Sequence, residues 1–233
     1  MERMPRGLKI LTGITVVLFA AALYMVLVYA PTEAVMGAVQ RVFYFHVAAG
    51  WVGAVAFLVT AVSGGLYLAK GDRKWDRLAV SSVEIGLVFT FANIVSGSVW
   101  ARPIWNTWWT WDLRLVTATV MELVYLAYML LRQGIEDPDR RARFGAIYAI
   151  VGFISVPLTF LSIRLFRTIH PVVIGSGDPT AQGAFDMTPR MFQAFMFSLL
   201  TFTFLYISLA WHRFRLEGLH ERLEQLKLKV LSA

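Results

Sequence analysis

Apolar residues run through this chain in long blocks, not in strict alternation. Ile10–Thr32 contains no charged side chain, and Val42–Ala69 is interrupted only by His46. About 20 apolar residues in a helix cross the ~30 Å hydrocarbon layer, so each block is long enough to span a bilayer. The pattern predicts six spans, at approximately Leu8–Ala30, Val42–Ala69, Leu78–Val99, Leu113–Leu131, Phe144–Ile163 and Met191–Trp211. Pro157 is expected to kink the fifth. Beyond the last span, Leu216, Leu219, Leu223, Leu226 and Val230 recur at alternating steps of three and four, the stripe of an amphipathic helix over residues 213–231. A membrane-surface helix and a partner contact both fit that tail. The expected fold is all-α: a polytopic integral membrane protein of one six-helix domain over residues 1–233, with no separate soluble domain.

Charge gives the spans a direction. Sixteen Lys and Arg fall at the N-terminus, in 70–77, in 132–143 and in the C-terminal tail, whereas six fall on the opposite side. The bias predicts cytoplasmic N and C termini and an external loop at about residues 100–112. It also accounts for the net charge of +7 without a nucleic-acid partner; membrane lipid is the expected surroundings. Arg3, Arg6 and Lys9 precede a first apolar run longer than a usual signal-peptide core, which reads as an uncleaved helix. With no Cys, the chain has no disulfide framework, no thiolate metal site and no C-x-x-C-H haem attachment.

The external loop concentrates the candidate chemistry. Residues 100–112 read WARPIWNTWWTWD and hold five of the eight tryptophans. An aromatic belt explains one or two Trp per helix end, not five in one loop; a shelf for a large, flat, apolar ligand does. His46 and His170 lie on the same side as this shelf. Each alone reads as a hydrogen-bonded interfacial side chain; as a pair flanking aromatic walls they read as axial ligands of haem iron. Asp112 is placed to cap the fourth helix, or to pair with Arg114 or a ligand. Arg41, Arg102, Arg164 and Arg167 are candidates for carboxylates such as haem propionates, or for lipid phosphates. Glu84, Asn93 and Glu122 lie within spans, where a polar group either serves function or bonds helix to helix; Glu122 is the better candidate for lining a path. His212 and His220 stand eight apart on one helical stretch, so they cannot grip two faces of one haem. That disfavours, without removing, a membrane b-type haem electron carrier; a platform for a non-haem amphiphile such as a quinone or lipid is the other alternative. The sequence has no P-loop and no nucleophile–base motif.

WARPIWNTWWTWDLRL, FYFHVAAGW before it and RTIHP after it resemble the Trp-rich signature and histidine contexts of the WWD haem-handling proteins. Among these the chain is most similar to the CcmC family, a component of system I cytochrome c maturation, and the likeness covers nearly the whole chain. Ala101 and Asn106 stand where the family commonly has glycine, Ala48 where proline often follows the first histidine. Arg164, Leu165 and Phe166 differ from the aromatic-acidic stretch that many members have before the second. The resemblance implies non-covalent, transient binding of haem b on the outer face of the bacterial cytoplasmic (inner) membrane, with His46 and His170 as axial ligands. Trp100, Trp105, Trp108, Trp109, Trp111 and Asp112 would form the platform. It further implies a haem-handling component, not an enzyme, that presents haem to the periplasmic chaperone CcmE. The ABC transporter subunits CcmA and CcmB and the small membrane protein CcmD are its other implied partners.

Overall fold

A computed structural model of the chain describes residues 3–166, 168–170 and 187–231. Helix α1 (Arg6–Tyr24) closes on a π-helical turn, Met25–Tyr29, and a 3-10 turn, Ala38–Arg41, leads into α2 (Val42–Lys70). Then come α3 (Arg73–Trp105), α4 (Leu113–Gln133), α5 (Pro138–Gly152), α6 (Ser155–Leu165) and α7 (Pro189–Leu231). Six stretches are long and apolar enough to cross a membrane, and no strand occurs among the described residues. The protein is a multi-pass helical membrane protein, as the hydropathy predicts.

Two boundaries depart from expectation, and the expected kink of the fifth span is present. First, α3 runs past Val99 to Trp105, so Trp100 and Trp105 sit on helix and only 106–112 form the loop. Second, α7 continues unbroken into the tail, as one helix of 43 residues. The fifth span breaks into α5 and α6 at Phe153–Ile154. Pro157, just beyond, has no N–H to bond back to Phe153.

Polar side chains fix the helix starts. Asp72, Asp112 and Asp137 accept from the amides of Lys74 (2.9 Å), Leu115 (3.0 Å) and Arg140 (2.7 Å) at the starts of α3, α4 and α5. Helix α2 is central. Its Ala48, Ala49, Val52 and Ala56 pack with Ile85 of α3 and Phe202, Tyr206 and Ala210 of α7. Its Phe57 joins Val83, Met121, Tyr125 and Ala149 in a second cluster. Small residues let α2 and α3 approach closely: a Cβ on Gly53 would lie 2.2 Å from Thr90 Cγ2.

The basic end of the bundle is tied by ion pairs. Buried Asp76 and Arg132 form a two-pronged pair at 2.6 and 3.0 Å, joining the start of α3 to the end of α4. Glu84 binds Arg213 of α7, with Arg213 Nη2 donating to Glu84 Oε1 at 2.8 Å. Glu84 thus bonds helix to helix. So does Glu122: Thr90 Oγ1 of α3 donates to its carboxylate, and Glu122 does not line the cavity described next. The structure favours the packing role for both.

Candidate functional site

At the opposite end a cavity of about 420 Å³ opens among α2, α3, α4 and α6, mostly apolar and within the ~300–1,000 Å³ range of ligand pockets. His46, Trp100, Arg114, Arg164 and His170 all line it. Two histidines 124 positions apart in sequence therefore meet on one cavity.

His46 projects from the first turns of α2 against α3. Its Nδ1 lies 3.0 Å from the Asn93 carbonyl and 3.1 Å from Ser96 Oγ. The Ser96 hydroxyl donates its own proton to Ala92 O at 2.7 Å, so it and the Asn93 carbonyl present lone pairs to Nδ1, while the Asn93 side-chain amide, a donor, lies 3.2 Å from the same nitrogen and 3.5 Å from Nε2. Two acceptors against one shared amide favour the proton on Nδ1, which leaves the Nε2 lone pair beside the Asn93 amide. The Asn93 amide donates to the His46 carbonyl at 2.7 Å, locking the helix pair at this level. Gly97 makes room: a Cβ there would lie 2.9 Å from His46 Cε1.

His170 is oriented by a different partner. Its Nδ1 lies 3.1 Å from Asp112 Oδ2, which also accepts from Thr168 Oγ1 at 3.0 Å. The other Asp112 oxygen caps α4. Burial opposes the Asp112 charge, but hydrogen bonds from His170, Leu115 and Thr168 outweigh it and pull the carboxyl down to about 2. One carboxylate thus starts a helix and orients an imidazole. Asp112 makes no hydrogen bond to Arg114, which donates to Thr159 O and stands 5.0 Å from the Phe160 ring.

The tryptophans divide by depth. Trp100 is 6% exposed and lines the cavity. Trp105 meets Trp100 edge-on at 5.2 Å and His170 at 5.1 Å, buttressing the imidazole. Trp109 packs edge-on with Trp111 at 5.7 Å. Trp108 and Trp111 are 59% and 79% exposed, an outward aromatic edge. Asn106 ends α3 at φ 53, a left-handed position that glycine takes most readily and Asn tolerates. Arg102 holds that turn by donating to Asn106 O (2.6 Å) and Oδ1 (2.8 Å).

The arginines also sort. Arg41 points back to Leu27 O and Thr32, and Arg102 is spent on Asn106; neither lines the cavity. Arg164 does, as does Arg114; Arg167 lies outside the described residues. Sequence reasoning missed Ser96, Gly97 and Thr168. Thr168 alone left a signal, a hydroxyl two positions before His170.

The chain matches the family profile of heme exporter protein C, CcmC, over residues 2–229. It belongs to the CcmC family. It is 31% identical over 229 residues to heme exporter protein C of Bradyrhizobium diazoefficiens, covering 97% of this chain and 84% of that protein. Heme exporter protein C of Escherichia coli K12 is 32% identical over 190 residues, covering 80% and 74%. A ccmC-like mitochondrial cytochrome c biosynthesis protein of Marchantia polymorpha is 28% identical over 165 residues, covering 71% and 70%.

Proposed function

We propose that this CcmC-family chain handles haem for cytochrome c maturation, holding haem b non-covalently and transiently between His46 and His170. The observation that carries the reading is the convergence of both imidazoles on one mostly apolar cavity, each with its Nδ1 held by a polar partner. A carboxylate or carbonyl behind a ligating histidine fixes the ring and raises its basicity. The residues fit the cargo. The Trp100 indole N–H on the cavity wall is buried without a hydrogen-bond partner among the described residues, and Arg114 and Arg164 stand on the same wall. Haem carries two propionates that would use such donors.

The chain then acts as a holder, not an enzyme. His46 and His170 bind the iron, Trp100 walls the porphyrin, Trp105 backs His170, and exposed Trp108 and Trp111 face an incoming periplasmic chaperone, CcmE. The charge bias supports an orientation in the bacterial inner membrane with the cavity outward and both termini in the cytoplasm. CcmA, CcmB and CcmD are the remaining proposed partners.

Absorption of the purified protein from haem-replete cells tests the reading. A Soret band in the parent chain that falls in His46→Ala and in His170→Ala is expected. A parent chain without the band removes the haem reading, and a band unchanged in both variants removes the ligand assignment.

A further inference from the structure

The last part of α7 lies far from the cavity. Helix α7 is 43 residues long, about 64 Å at 1.5 Å per residue and twice the hydrocarbon thickness. With Met191–Trp211 in the bilayer, residues 213–231 extend roughly 28 Å beyond it. The helix does not break, so this tail keeps the direction of the span and does not turn into the membrane plane.

One face of the tail is already engaged. The Arg77 guanidinium stands 5.0 Å from the Phe214 ring and its Nη1 3.6 Å from Glu221, while Gly218 gives it room. The opposite face carries Leu216, Leu219, Leu223, Leu226 and Val230, 46–75% exposed. These are the a and d positions of two heptads. The flanking e and g positions are His220 and Lys227 on one side and Arg222 and Lys229 on the other, with no acidic residue among them, though Glu224 pairs with Lys227 at 2.8 Å. A second copy packed along this seam would set like charges against each other, which is destabilising.

We propose that the 216–230 seam docks an amphipathic helix of a different protein, one whose apolar stripe is flanked by Asp and Glu. Leucines would interdigitate along the seam, and the basic flanks would choose the partner by charge. The proposal is independent of the haem reading.

The test uses the full chain in nanodiscs containing anionic lipid and a fluorescein-labelled designed peptide of about three heptads, with Leu at a and d and Glu at e and g. Saturable binding is expected, weakened at least about tenfold by Leu223→Ser with helix content intact, and weakened by raising salt. The same peptide with Lys at e and g should not bind. Failure of the Glu peptide, or equal binding of the Lys peptide, overturns the proposal. Because the chain has no Cys, a nitroxide on Leu226→Cys reads the seam's surroundings directly. Collisions with a water-soluble relaxant are expected. Collisions with lipid-dissolved oxygen alone would mean that the membrane covers the seam and the proposal is wrong. A dimer of the parent chain that Leu223→Ser abolishes would likewise assign the seam to a second copy and overturn it.

Discussion

Asn in place of Asp112 separates the two tasks of that carboxylate. Asn caps a helix about as well as Asp, so the bond to the Leu115 amide can persist. What is lost is the charged acceptor 3.1 Å from His170 Nδ1. Removing such a partner of a ligating histidine typically costs 10–100-fold, so Asp112→Asn should weaken haem binding by about 10–100-fold, or roughly 1.4–2.7 kcal/mol. The carboxyl is only 13% exposed, and its fall from 3.8 to about 2 makes the ionised form worth at most roughly 2 kcal/mol to the folded chain. Because the folded value is the lower one, that stability is complete above about pH 4 and is lost as pH falls through about 2. Asp112→Ala also loses the cap, a further cost of about 1 kcal/mol. Haemin titration by Soret absorbance reads the first effect, and thermal unfolding of the haem-free chain reads the second. An Asn variant that binds haemin within about twofold of the parent refutes the orienting role. Equal unfolding of the Asn and Ala variants refutes the capping role.

Gly97→Ala should push the His46 ring aside and reduce the Soret band while circular dichroism stays unchanged, since a Cβ there lies 2.9 Å from Cε1. Arg132→Ala leaves Asp76 buried and unpaired, an expected loss of about 3–5 kcal/mol; unfolding by SDS should show much of it recovered when Asp76→Ala is added. Trp111→Ala, at a position 79% exposed, should change stability by less than about 0.5 kcal/mol and leave haem affinity intact, but slow transfer to the chaperone in a stopped-flow assay. Glu122→Gln can still accept from Thr90 and should load haem normally; an empty variant would return Glu122 to the cargo path.

The spans were legible because bilayer thickness demands long apolar runs, and six such helices stand out among the described residues. Their ends were less so. Nothing in VWARPIW announces that α3 continues to Trp105, because Pro103 sits where a helix usually stops. His46, His170 and Asp112 stood out by residue type. Their partners did not: the Asn93 carbonyl belongs to the backbone, which sequence identity does not mark, and Ser96 and Gly97 are ordinary residues in an apolar span. Glu122 misled for the opposite reason. A carboxylate in a span signals function by its cost, and a hydroxyl on the neighbouring helix removes much of that cost without any function.

Helix α7 packs Met191, Ala194 and Phe195 against Phe43 and Tyr44, within three residues of His46. Its other extremity is the 216–230 seam. A stiff rod about 64 Å long is a lever: pivoted at one end by about 5°, it swings the other by roughly 5 Å. Cargo that nudges the Phe43–Tyr44 wall would therefore reach the seam as a tilt of one rigid helix, resisted by its ties to Glu84 and Arg77. Spin-label distances between Arg73→Cys and Leu226→Cys, with and without haemin, measure that tilt. An unchanged distance would mean that the rod is an anchor instead.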